Sequence, residues 1–286
     1  MRHRAMRPGP TERSRTRLTG LSALAVRFAG AVLVCAGLAP AGPAAAQLGP
    51  GDLQRAHALT ANTVGWVALR TAMRTVVTHA GIGRDNVEET ADTLAVLLAF
   101  EDGGGRLDPI VIGAAHAALT AHGAGDEAIA KLFADQGLTL SRARAIACLA
   151  FGQAPERRAS IVEPLDLSEN DVQSCPEAYG RFRDHWLAIA EPLRTQAEGG
   201  GEPVQAELSF AGGSMASARA VLLRGGTLDE VANFFALAVS HPERIAIRAL
   251  DCGQAEASPV PGEVRICYSL VGDIASAIER GIVAGR

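Results

Sequence analysis

From Gly51 to about Arg194, apolar residues recur every three or four positions, the period of helices that bury one stripe each. The clearest stretch runs from Asn62 to Leu98. In its first half Trp66, Leu69, Met73 and Val76 share a helical face; in its second, Val87, Ala91, Leu94 and Leu98 do, after a turn rich in Gly and Asn. Glu88 and Asp92 stand four apart on a neighbouring face of the second helix, close to the contact between the two. The pattern predicts a further helix opening at Pro109 and ended by Gly123, and others over 125–135, 138–151 and 174–194. The segment AEGGGEP at 197–203 has linker composition. Beyond it the period shortens: VQAELSF (204–210) and RIAIRAL (244–250) alternate as half-buried strands do, and EVRICYSL (263–270) more loosely. Helices are predicted over 214–224 and 227–239, with a last one from about Gly272. The expected class is α+β: a mainly helical lobe over 47–197 and a small α+β lobe over 204–286.

The first 46 residues read as an export leader. Seven arginines precede and enter an apolar run, LSALAVRFAGAVLVCAGLA, and Ala44-Ala45-Ala46 forms an A-x-A cleavage site before Gln47. Cys35 lacks the small preceding residue of a lipoprotein signal, because Val34 stands there. Cleavage predicts a periplasmic or secreted protein with no membrane span. It also changes the charge. Without the leader's seven arginines and one glutamate, 20 basic residues face 30 acidic ones, a formal charge of −10. That balance argues against nucleic acid or an anionic membrane as partner.

Four cysteines remain, Cys148, Cys175, Cys252 and Cys267. An even number in an exported chain predicts disulfides, and proximity in sequence favours Cys148–Cys175 and Cys252–Cys267 among the three connectivities. No C-x-x-C spacing points to a metal. The glycines of EDGGGR (101–106) follow no strand and precede no Lys-Ser/Thr, so they read as a helix connection and not a phosphate cradle. His116 and His122, six apart, share a helix face poorly, and His57, His79, His185 and His241 are isolated in sequence.

From Asn62 to the C-terminus the chain resembles a bacterial family of uncharacterised function regarded as candidate zinc metallopeptidases. Its members carry N-x-x-x-x-x-x-H-E-x-G-H followed by an E-x-x-A-D helix. Asn62 matches the leading Asn, and Glu88, Ala91 and Asp92 match the acidic motif. In that register Leu69 stands at the first His, Arg70 at the Glu, Ala72 at the Gly and Met73 at the second His. The segment DQGLTLSRARAIACLAFG resembles D-E-H-S-L-x-x-Q-R-x-x-N-I-x-C: Leu138, Arg142, Ile146 and Cys148 match, while Gln136 replaces the His, Ser141 the Gln and Ala145 the Asn. The ending resembles C-G-x-A-N-A-F/W and I-x-x-C-Y-E-L through Cys252, Gly253, Ala255, Ala257, Cys267, Tyr268 and Leu270, with Glu256, Ser258 and Ser269 replacing the Asn, the aromatic and the Glu. Cysteines in matching contexts support the two disulfide pairs.

In a working H-E-x-x-H helix two imidazoles hold zinc and the Glu is general base on the bound water. Leu69 and Met73 have no imidazole nitrogen, and the Arg70 guanidinium cannot take a proton from water. The resemblance therefore implies a pseudoenzyme without zinc, its scaffold kept to bind a peptide or protein partner. The alternative is an active metallopeptidase with a rebuilt zinc site, using Glu88, Asp92 and a histidine from elsewhere such as His79. If the metal is gone, a cation is expected beside Glu88 and Asp92, and Arg70 is placed to supply it, with Leu69 and Met73 filling the imidazole volume. The competing expectation leaves Arg70 in solvent and gives Glu88 to a capping box with Asp85 as N-cap.

Overall fold

The computed structural model describes residues 48–162, 168–194, 206–210, 215–240, 244–252 and 262–286. The leader (1–46), the linker (197–203) and His241 lie outside the described residues.

The helix predicted from Asn62 extends back to Pro50, so that α1 spans Pro50–Ala80. Pro50 suits a first helical position, where its missing N–H costs nothing, and Gly81 ends the helix at φ 69°. The helix does more than bury one stripe. Between Leu59 and Leu69 every residue but Asn62 is buried, because α1 runs through the middle of the fold and is covered on several sides. Around it pack α2 (Val87–Glu101), α3 (Asp108–His122), α8 (Ala216–Gly225), α9 (Thr227–Ala238) and α10 (Tyr268–Ala284). Two glycines allow close approaches between α1 and its neighbours. A Cβ on Gly65 would lie 3.1 Å from side-chain atoms of Ile110 and Thr227, and one on Gly113 would lie 2.3 Å from the Asn62 amide. The Thr227 hydroxyl also donates to the Ala61 carbonyl at 2.9 Å, tying the start of α9 to α1.

The remaining helices are α4 (Glu127–Asp135), α5 (Leu140–Gln153), α6 (Pro155–Val162) and α7 (Glu169–Ala190). α5 and α7 pack side by side and are joined by Cys148–Cys175, which spans 27 residues. The three strands, β1 (Ala206–Phe210), β2 (Ile245–Leu250) and β3 (Glu263–Cys267), form one parallel sheet in the order β1-β2-β3. Ile245, Ile247, Ala249, Val264 and Ile266 point from its inner face into the core. Cys252–Cys267 closes 15 residues across the strand ends. The fold is thus α+β and mainly helical. β3 is shorter than the alternation predicts. It stops at Cys267, and Tyr268-Ser269-Leu270 begins α10, where Tyr268 is fully buried. Elements on both sides of the linker contribute to the core around α1.

Among the described residues no helix is long and apolar enough to cross a membrane.

Candidate functional site

α1 and α2 form an antiparallel hairpin whose turn, 81–86, carries Gly81 and Gly83 at positive φ. The turn sets the start of α2 one residue later than the Asp85 capping box requires. Asn86 is the N-cap: its Oδ1 accepts from the Glu89 N–H at 3.4 Å, and its side-chain amide donates back to the Glu89 carboxylate. Asp85 and Glu88 therefore do not form the box, and Glu88 turns towards α1.

There it meets Arg70. The Arg70 Nε donates to Asp92 Oδ1 at 2.7 Å, while Nη2 reaches Glu88 Oε2 at 3.2 Å and Asp92 Oδ2 at 3.5 Å. The expected bridge from Arg70 to both carboxylates is present. Two more arginines extend it. Arg74, one turn along α1, donates through Nη1 to Glu88 Oε1 at 2.8 Å, and Arg142 of α5 places Nη1 3.5 Å from Asp92 Oδ2. The result is a ladder of alternating sign: Arg142, Asp92, Arg70, Glu88, Arg74. Its middle is sheltered and its far end is wet. Side-chain exposure is 5% for Asp92 and 15% for Arg70, against 41% for Arg74 and 55% for Glu88. Burial pushes the Asp92 carboxyl above the usual carboxylate range and Glu88 adds to this, although the Arg70 hydrogen bond and the charges of Arg70 and Arg142 pull the other way.

Leu69 and Met73 flank Arg70 on α1 and are fully buried. The segment 136–142, which also carries replacements, arrives at the same place. The Gln136 carbonyl accepts from Trp66 Nε1 at 3.1 Å, and Gly137, at φ 71°, packs on the ladder so closely that a Cβ would lie 2.9 Å from Arg70 Cζ and from Asp92 Oδ2. Stretches 69–73, 88–92 and 136–142, which share only a resemblance in sequence, are neighbours in space.

These residues do not fit a zinc ion. Leu69 and Met73 offer no nitrogen, and a cation between Asp92 and Glu88 would have to share both carboxylates with a guanidinium already in hydrogen-bond contact. His79 is exposed, nine residues beyond Arg70 and so about 13 Å further along α1. Among the described residues no group of three or more His, Cys, Asp or Glu side chains is close enough to hold a metal.

Spacing alone would have flagged Arg74, which follows Arg70 by one turn on the same face. Nothing in the sequence pairs Arg142 with Asp92, 50 residues away, or sets Gly137 against Arg70.

No curated protein and no solved structure matches the chain. The model of the family DUF4344, described as "Putative metallopeptidase", matches residues 77–189. The matched stretch holds Glu88, Asp92, Arg142, Cys148 and Cys175, and it begins just past Met73. Over residues 77–189, less than half of its length, the chain is similar to this family.

Proposed function

We propose that this protein is an exported, non-catalytic member of the family, keeping the peptidase scaffold to hold a peptide or protein partner. One observation carries the reading. The position of the general base holds a guanidinium whose Nε lies 2.7 Å from Asp92, and the positions of the two histidines hold buried Leu69 and Met73. A zinc-bound water would have no base beside it and no imidazoles to hold its metal. The basic, apolar leader supports export, and so do two disulfides, which persist in oxidising compartments. The formal charge of −10 after the leader favours a partner that is not itself strongly anionic.

Metal analysis of the purified, dialysed protein tests this most directly, together with a peptidase assay in added zinc. The expected outcome is less than about a tenth of a zinc per chain and no zinc-dependent cleavage. Near-stoichiometric zinc that survives dialysis would overturn the reading in favour of an enzyme built on Glu88, Asp92 and a histidine.

A further inference from the structure

We infer that the family's metal site is closed to divalent cations in this chain by a fitted replacement, in which Arg70 is the resident cation and Gly137 is the residue that makes room for it. The inference rests on the proposed function but goes further. A site that has only lost its ligands would accept metal again once imidazoles were returned. A site occupied by a fixed guanidinium would not.

Three observations join here. Arg70 contacts both carboxylates, so the anionic charge a metal would need is already neutralised at 2.7 and 3.2 Å. The Arg142–Asp92 and Arg74–Glu88 contacts hold those carboxylates from the outside, and the five charges sum to +1, which repels a further cation. Gly137 covers the guanidinium from the α4–α5 connection. Its φ of 71° is one that L side chains rarely adopt, and any Cβ would press at 2.9 Å on Arg70 Nε, Arg70 Cζ and Asp92 Oδ2. The end of a free arginine would move aside. This one donates three hydrogen bonds to carboxylates, two of them to the nearly buried Asp92.

Two sets of variants test this in the full mature chain, with circular dichroism confirming the fold. In the first, zinc alone is titrated into Leu69→His/Met73→His and into Leu69→His/Arg70→Glu/Met73→His. The double variant should bind zinc at least about 100-fold more weakly than the triple, because a guanidinium stays at the ligands. Equal affinities would overturn the exclusion by Arg70 while leaving the proposed function standing. A folded triple variant that binds no zinc would overturn the register on which both rest. In the second, Gly137→Ala is made in the natural chain and in Arg70→Ala. The backbone strain at φ 71° is common to both backgrounds, whereas the clash with the guanidinium is present only in the first. The Tm loss should be larger with Arg70 present, by about 3 to 6 °C, and a Gly137→Ala chain that folds only in the Arg70→Ala background makes the same point. Equal losses in the two backgrounds would overturn the role of Gly137.

Discussion

The two ends of α2 carry the same chemistry in opposite settings. Near its start, Glu88 and Asp92 meet Arg70, Arg74 and Arg142. At its finish, Glu101 takes a hydrogen bond from Tyr179 and one from Arg183 Nε at 3.0 Å, while Asp102 is gripped by Arg194 through Nη2 at 2.6 Å and Nε at 2.8 Å. Carboxylates at a helix start are favoured by the backbone dipole, and those at a helix end are opposed by it. Glu88, in the first turn, would be tolerable there with less help, whereas Asp92 lies a turn further in and is nearly buried, so the arginines at the start answer burial as well as helix formation. Glu101 and Asp102, by contrast, need cations merely to end the helix. Their arginines read as structural, and they fasten α2 to α7 and to the turn that follows it.

If this contrast is right, the two ends should fail separately. The largest effect is expected from opening Cys148–Cys175, either by selective reduction or in Cys148→Ser/Cys175→Ser. Its 27-residue loop sets the loss at about 3 to 4 kcal/mol from chain entropy. α7 delivers Tyr179 and Arg183 to Glu101, so hydrogen exchange should rise first at the end of α2 and in α7, with the Arg70 ladder still protected. Simultaneous loss of protection at both ends would break the comparison.

Arg70→Ala should cost slightly less, about 3 kcal/mol by chemical denaturation. It strands the nearly buried Asp92 with only the 3.5 Å contact from Arg142. Adding Asp92→Asn should recover part of that cost, because a neutral amide is cheaper to bury than an unpaired carboxylate. A loss below about 1 kcal/mol for Arg70→Ala would show the ladder to be a surface decoration. At the other end, Arg194→Ala should cost about 2 kcal/mol, since the pair is two-pronged but reached by some water and Asp102 then faces the helix dipole alone.

How far the sequence could be read differs between the ends for a physical reason. The Arg70 bridge was legible because the resemblance fixed a register, and because helical spacing then set a cation against Glu88 and Asp92. The hairpin, the α+β class and both disulfide pairs followed from period, composition and proximity. The cap of α2 was misplaced by one residue because Asp85 and Asn86 are both good N-caps, and only the backbone of the 81–86 turn chooses between them. The break at Cys267 was missed because Tyr268 and Leu270 suit a strand as well as they suit the buried face of a helix. The cluster at the far end of α2 had no signal at all. Its partners lie 78 to 92 residues away, and no spacing rule spans such a distance.

The smallest effect, and the one that isolates that far end, comes from Tyr179. Burial raises its phenol well above the usual tyrosine range, and the hydrogen bond to Glu101 and that carboxylate's charge push the same way. The folded state therefore keeps the proton after the unfolded chain has begun to lose it. For a raised group the associated stability is fully present below the unfolded value, about pH 10, and is lost as pH rises through the folded one. The alkaline window is unusually clear, because Lys131 is the only lysine in the chain. Tyr179→Phe should cost about 1 kcal/mol at neutral pH, since Arg183 still holds the Glu101 carboxylate. Above about pH 10 the natural chain should lose stability more steeply than the variant, so that the two converge. Denaturation curves at a series of pH values would show this. Parallel curves would mean that Tyr179 carries no proton linkage, and that the end of α2 rests on its arginines alone.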